Sequence, residues 1–357
     1  MLDQLRQEID KIDNQLLALL NERMKIVQKI GELKKTNNTF IYRPEREKAI
    51  LDRLARLNQE LGGLLTPAAI DAIYMEIFAA SRHFELPERV AYLGPEGSFC
   101  HQAAENRFGA MTDYIALQDI RSIFESVVTQ RVRFGVVPIE NNQEGFVNET
   151  IDLLFAFDVR IVAETLLPIH HTFASTCEKL NDIKQIFSKD IAFKQCRKFL
   201  ESYFKDSQVE FIPVESTSKA VKIASERPHS AAICASVAAK IYRVPILFEN
   251  IEDSPYNRTR FYIISKEFEN QVSGNDKTTI IAQLPDVAGS LATFLQDFSV
   301  HQINLKKIES RPAKSEEKFN CWFYIEIDGH AAQEPLKSVL AKHQANVKFL
   351  GSYVKLC

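Results

Sequence analysis

No stretch of this chain is apolar for anything near the ~20 residues that span a bilayer. None at the N-terminus has the charged-then-apolar form of a secretory leader, so a cytoplasmic protein with no membrane partner is expected. Cysteine is sparse. Cys100, Cys177, Cys196, Cys234, Cys321 and Cys357 are scattered, with no Cys-x-x-Cys, and read as reduced, mostly buried small residues. His170–His171 is the only adjacent histidine pair, and neither it nor any Asp/Glu/His cluster has zinc-like spacing, so no metal is expected. An excess of one charge is also missing. With 44 Lys+Arg against 47 Asp+Glu the formal net charge is -3, which excludes a general basic field for nucleic acid. Any arginine cluster is local and suits a small anion. There is no convincing internal repeat. What remains is ordinary globular usage, 45% hydrophobic and 25% charged, over 357 residues, enough for two or three domains.

Three segments differ in hydrophobic period. In residues 1–87, Leu2, Leu5, Ile9, Ile12, Leu16, Leu19, Ile26, Ile30 and Leu33 form one long helical seam, uninterrupted by Gly or Pro before Gly31. A domain this small cannot bury such a helix alone, so a homodimer or higher homo-oligomer with interlocked helices is expected. A second helix runs from Pro44 to Leu61 and ends at Gly62-Gly63; a third, capped by Thr66 with Pro67 in its first turn, runs to about Glu85. From Val90 to Lys266, short apolar runs such as VAYLG and FGVVPIE alternate with helical stretches, an α/β pattern. The polar run EFENQVSGND reads as a linker. Residues 278–357 then follow the order βαββαβ, a ferredoxin-like α+β unit.

Polar residues sit on the apolar stripes of the helical segment. Arg23 takes a seam position, Lys34 lies eleven residues on, Glu47 shares a stripe with Ile50 and Leu54, and Ser81 and Glu85 continue that of Ile70, Tyr74 and Ile77. Buried unpaired charge is costly. The pattern is therefore either an internal network, Arg23 and Lys34 against Glu47 and Glu85, or a cationic pocket for a carboxylate ligand. The strings LRQEIDKIDNQLLALLNER, IGELK, YRPEREKAIL and ASRHFE resemble the all-helical chorismate mutases, especially the mutase domain of bifunctional chorismate mutase/prephenate dehydratases. The resemblance implies that Arg23, Lys34 and Arg6, the last reaching in from a partner subunit, are cationic ligands of chorismate. It implies that Glu47 holds the ring hydroxyl and Ser81 supplies a hydroxyl. Arg43 stands where some members have aspartate, and Glu85 where many have glutamine beside the ether oxygen. Such a rearrangement needs no nucleophile and no cofactor. It needs a dianion held in a compact conformer and donors at the oxygen that gathers charge, where the catalytic residues are Lys34 as donor and Glu85, which can donate only when protonated.

The middle segment carries VAYLGPEGSFCHQAA, GVVPIENNQEGFVNETIDLL, IFSKDIAFKQCRKFL and NRTRFYII, in the order found in prephenate dehydratases, which it resembles from Val90 to Lys266. Ser98 replaces a usual threonine, Cys100 a frequent serine, and Asn142 a common serine or threonine. The resemblance implies two α/β lobes with the site in the cleft between them. It implies that Thr259 is the essential residue there and that Ser98, Glu140, Asn141, Ser188, Gln195 and Arg260 bind prephenate. Decarboxylation with loss of hydroxide needs a hydrogen-bond donor at the departing oxygen and anchors for two carboxylates, which explains a threonine between Arg258 and Arg260 at the mouth of a strand.

The last segment resembles an ACT domain, through IESRP at Ile308–Pro312 and, more loosely, AGSL at Ala288–Leu291, where Ala288 and Ser290 depart from the family's proline and alanine. It implies phenylalanine as an inhibiting effector held by Gly289, Ser290, Leu291, Glu309, Ser310 and Arg311 at a dimer interface. The expectation is a multidomain enzyme of phenylalanine biosynthesis: an all-α mutase domain (1–87), an α/β two-lobed dehydratase domain (90–266) and an α+β ferredoxin-like ACT domain (278–357). The rival readings are a monofunctional dehydratase whose helices only dimerise the chain, and a non-enzymatic amino-acid sensor.

Overall fold

The computed structural model describes residues 1–37, 42–85, 89–205, 207–312 and 321–355. They divide into two units, Met1–Arg89 with Phe108–Asp113, and Val90–Arg107 with Tyr114–Cys357.

The first unit is built on helices α1 (Leu2–Asn37), α2 (Pro44–Glu60) and α3 (Pro67–Glu85). Pro44 and Pro67 open two of them, where a missing N–H costs nothing. Thr66 Oγ1 accepts from Ala69 N at 3.2 Å, a side-chain cap. After α2 the Gly62 N–H bonds Gln59 O at 3.1 Å and the Gly63 N–H bonds Asn58 O at 2.8 Å. This pair of bonds needs the left-handed backbone that Gly62 adopts at φ 64°. Gly31 does not stop α1. A Cβ there would lie 3.1 Å from Glu85 Cα, so the glycine lets the end of α3 come close to α1. Leu2, Leu5, Ile9, Ile12, Leu16, Leu19, Ile26 and Leu33, the seam of α1, are each more than half exposed.

The second unit has three sheets. The first lobe holds β1 (Arg89–Leu93), α4 (Phe99–Phe108), β2 (Asp113–Leu117), α5 (Ile120–Val128), β3 (Phe134–Asn141), β4 (Gly145–Phe146), α6 (Asn148–Ala156) and β5 (Arg160–Pro168). The chain then crosses to a second lobe of β6 (Thr172–Ser175), β7 (Gln185–Ser188), α7 (Asp190–Gln195), α8 (Arg197–Phe204), β8 (Glu210–Pro213), α9 (Thr217–Glu226), β9 (Ser230–Cys234), α10 (Ser236–Ile241) and β10 (Ile246–Phe248). It returns as β11 (Arg258–Ser265). The first sheet has the order β2-β1-β3-β11-β5 with β4 on β3, and the second β10-β6-β9-β7-β8; both mix parallel and antiparallel pairs.

The remainder is β12 (Asp276–Gln283), α11 (Ser290–Val300), β13 (Leu305–Pro312), β14 (Cys321–Asp328), α12 (Leu336–Lys342) and β15 (Val347–Val354). Its antiparallel sheet has the order β13-β14-β12-β15. This sheet shares one apolar core with the first lobe: Ile281, Trp322, Tyr324, Leu350 and Tyr353 pack with Ile139, Ile161, Tyr262 and Ile264. Gly351, at φ 143°, permits the approach, since a Cβ there would fall 2.3 Å from Ile161 O. The segment read as a polar linker is packed down in its first half, while residues 271–275 stay exposed. Phe268 and Asn270 are buried, and Asn270 Nδ2 donates to Val162 O at 2.8 Å and Ser352 O at 2.9 Å, so a polar side chain ties strand to strand.

Candidate active sites

In the helical unit, Arg23 of α1 donates through Nη1 to Ser81 Oγ on α3, and Ser81 passes its own proton to Ile77 O at 2.6 Å. Ser81 is buried, and the Arg23 guanidinium lies 5.9 Å from the centre of the Phe78 ring. Burial pulls the Arg23 pKa down, against the opposing charges of Tyr74 and Glu85. Arg23, Ser81 and Glu85 are therefore brought together on two facing helices. Glu47 is buried as well, but its partner is Arg82, whose Nη2 also donates to Phe108 O at 2.9 Å. Sequence reasoning passed over Arg82 because it stands one position beyond Ser81, off the stripe. Arg43, the N-cap of α2, pairs with Glu45 at 3.5 Å. Arg6 stays solvent-exposed beside Asp3 at 3.4 Å. Seventeen residues of helix separate it from Arg23, roughly 25 Å, so one chain does not unite them. The side chain of Lys34 lies outside the described residues.

In the second unit, Thr259 and Asn141 are register partners on β11 and β3, and Arg260 and Glu140 form the next pair. Successive strand residues face opposite ways. Asn141 Nδ2 donates to Thr259 Oγ1 at 2.9 Å and to Asn257 Oδ1 at 2.9 Å. Its Oδ1 accepts from the backbone N–H groups of Gln143 at 2.9 Å and Glu144 at 3.2 Å, which fixes which end of the amide is which. Thr259 Oγ1 is therefore an acceptor toward Asn141, and its own proton is left to point at a ligand.

From the same face a second chain of bonds leads across to the other lobe. Gln195 Nε2 donates to Gln143 Oε1 at 3.3 Å, and Gln195 Oε1 meets His171 Nε2 at 2.9 Å. The ring nitrogen that meets an oxygen carries the proton. Burial lowers the pKa of His171, with the Gln195 bond opposing, so the ring is held neutral. Glu252 clamps the crossing between lobes: one oxygen meets His170 Nδ1 at 2.7 Å, the other accepts from the His171 N–H at 2.9 Å. His171, Asn257 and Glu252 were not singled out from sequence; the adjacent histidines were the one signal. Ser98 and Ser188 donate their hydroxyl protons to backbone, to Leu93 O at 2.9 Å and Ile233 O at 2.8 Å, and Ser98 also accepts from His101 N at the start of α4.

Arg260 and Glu140 do not join Thr259. They lie on the other face of the first sheet, against the third sheet. Arg260 meets Glu326 at 2.6 Å, Glu140 at 3.0 Å and Glu164 at 3.2 Å, and Lys277 meets Glu164 at 2.8 Å. Glu326 is buried, which alone would raise its pKa. The hydrogen bonds and charge of Arg260, with the charge of Lys277, outweigh burial and hold its carboxyl at about 2. In the third sheet, Gly289 caps α11 at φ 83° with open space around its Cα, and Arg311 donates to Asp152 at 3.1 Å and Asn148 at 2.9 Å.

Two family models match the chain. Residues 90–269 match the family Prephenate dehydratase, and residues 5–86 match Chorismate mutase type II. A bifunctional chorismate mutase/prephenate dehydratase of Aquifex aeolicus (strain VF5) is 41% identical over 358 residues, covering 99% of this chain and 98% of its own. The protein of that name from Pseudomonas aeruginosa is 37% identical, covering 98% and 97%. Among solved structures, a prephenate dehydratase from Arthrobacter aurescens in complex with L-Phe superposes with a TM-score of 0.68 at 32% identity, over 75% of this chain and 90% of that one.

Proposed function

The chain belongs to the bifunctional chorismate mutase/prephenate dehydratase family, and from that premise we propose which of its residues do the work. The protein rearranges chorismate to prephenate, then decarboxylates and dehydrates prephenate to phenylpyruvate, in phenylalanine biosynthesis.

For the first reaction we assign Arg23, Lys34, Arg43, Glu47, Ser81 and Glu85 of one chain and Arg6 of a second. The Arg23–Ser81 bond supports the assignment, because it fixes the guanidinium between facing helices before any substrate arrives. Arg82 joins the set as the group that pairs with Glu47 and holds it in place. The exposed seam of α1 supports a second copy as its cover, and Arg6 on that helix would then enter the other chain's pocket.

For the second reaction Thr259 is the donor to the departing hydroxide, with Asn141, Gln195 and His171 positioned around it. One observation carries this: Asn141, pinned by two backbone donors, gives its own proton to Thr259 and so leaves the threonine proton free for substrate. Ser98 and Ser188 hold the strand ends that line the cleft.

Residues 278–357 form a ferredoxin-like ACT domain that takes phenylalanine near Gly289, Ser290 and Leu291 and along Glu309 and Ser310. The βαββαβ order, the open left-handed cap at Gly289 and the L-Phe complex of the Arthrobacter relative support that reading. The same proposal places the enzyme in the cytoplasm. Separate variants test the division of labour. Arg23→Ala is expected to stop only the mutase and Thr259→Val only the dehydratase; either variant losing both activities together would contradict it.

A further inference from the structure

The catalytic strand pair is held from behind by the third sheet. On β3 and β11, Asn141 and Thr259 bond each other on one face, while their neighbours Glu140 and Arg260 point the other way, to β13 and β14. Glu140 is gripped twice: Oε2 by Arg260 at 3.0 Å, and Oε1 by Lys307 of β13. Arg260 in turn is clasped by both oxygens of Glu326 on β14, at 2.9 Å and 2.6 Å. Lys277 of β12 closes the circuit on Glu164 and Glu326, at 2.8 Å and 3.3 Å. Tyr262 and Tyr324 donate to Glu326 at 2.9 Å and 2.7 Å. Three cations meet three carboxylates; Arg260, Lys277, Glu164 and Glu326 are buried, and Glu140 and Lys307 are partly exposed at the edge of a pocket. A network of this kind is a poor source of stability compared with apolar packing, but it admits few arrangements. Two of its members sit one residue from Asn141 and Thr259.

We propose that Lys307 and Glu326, on the C-terminal sheet, are positioning residues of the dehydratase: by holding Glu140 and Arg260 they fix the strand pair that aims Asn141 and Thr259. The assignment rests on Thr259 acting as the donor in the cleft. It moves Arg260 and Glu140 from substrate anchors to the back of the site, where their side chains lie. It also gives the third sheet a share in catalysis without any effector bound. Lys307 directly precedes Ile308–Pro312, so whatever shifts that strand shifts the grip on Glu140.

The experiment measures both activities, without phenylalanine, in full-length wild type, Thr259→Val, Lys307→Met, Lys307→Arg and Glu326→Gln. Lys307 is partly exposed, so its variants are expected to fold, and the mutase rate and melting temperature of each sample report on that. In Lys307→Met and in Glu326→Gln the dehydratase kcat is expected to fall roughly tenfold, with KM for prephenate and the mutase rate unchanged. Lys307→Arg is expected to restore kcat. Wild-type kcat in Lys307→Met and Glu326→Gln would overturn the proposal, as would a loss that Lys307→Arg does not restore or one that the mutase shares. Full dehydratase rate in Thr259→Val would instead overturn the reading of the site itself.

Discussion

Replacing Thr259 by valine removes one hydroxyl and almost nothing else, which makes the consequences calculable. The side chain keeps its shape and its β-branched preference for a strand. The bond lost is the one Thr259 Oγ1 accepts from Asn141 Nδ2 at 2.9 Å. Asn141 is not stranded, because the same Nδ2 also donates to Asn257 Oδ1 at 2.9 Å, and its oxygen keeps two backbone donors. The stability cost is therefore that of one neutral hydrogen bond, about 0.5–1.5 kcal/mol. The catalytic cost is of another order. A donor aimed at the oxygen where charge develops is worth about 10²–10³ in kcat, or roughly 2.7–4 kcal/mol. Phenylpyruvate formation from prephenate is expected to fall by at least about a hundredfold, with the mutase rate of the same sample unchanged and the melting temperature only slightly lower. A valine variant within about fivefold of wild type would refute the role given to Thr259. So would a loss shared equally by the mutase.

Further outcomes follow from other parts of the molecule. Arg23→Ala removes the cation bonded to Ser81, and is expected to lower the mutase rate about 10²–10³-fold while dehydratase rate and sedimentation stay as in wild type; a change in sedimentation alone would point to assembly. Gly351→Ala puts a methyl 2.3 Å from Ile161 O at a backbone angle that L residues avoid, and is expected to cost about 1–3 kcal/mol, read as a lower midpoint in urea; an unchanged midpoint would contradict the close approach of β15 to β5. Glu326 is held at about 2 against an ordinary 4.5, so its contribution is complete above 4.5 and drains away as pH falls toward 2. The gap in melting temperature between wild type and Glu326→Gln is expected to narrow over that interval on acidification; a constant gap would show that the charge of Glu326 is not what matters.

The helical unit was the most legible part of the sequence, because its signals are local. A heptad seam, two prolines at helix starts, Thr66 and Gly62-Gly63 each act within a turn or two of chain. Gly31, a poor helix former by itself, is a place where two helices approach. The third sheet was legible as an order of elements, but its attachment was not. EFENQVSGND is polar by composition, yet Phe268 is buried against Phe134, and Asn270 bonds Ser352, more than eighty residues away in sequence, and Val162, more than a hundred away. The candidate dehydratase site shows a different lesson. Thr259 and Arg260 were grouped as one motif, although a period of two sends neighbouring side chains to opposite faces of a strand. The alternation was readable; what lay behind the sheet to receive Arg260 was not, since Glu326 and Lys307 come from strands that only the tertiary fold brings there. Arg82 and His171 were missed for a like reason. Each is buried against a partner far off in the chain, Glu47 or Gln195, and the one local signal, His170 beside His171, does not say what His171 meets.

The most direct test of the whole account is to give chorismate to the purified protein and identify the products, with and without phenylalanine. The account predicts phenylpyruvate from chorismate alone, and its suppression when phenylalanine is present. Prephenate accumulating without phenylpyruvate would contradict the assignment of Thr259 and Asn141, and no turnover of chorismate at all would contradict the enzyme reading outright.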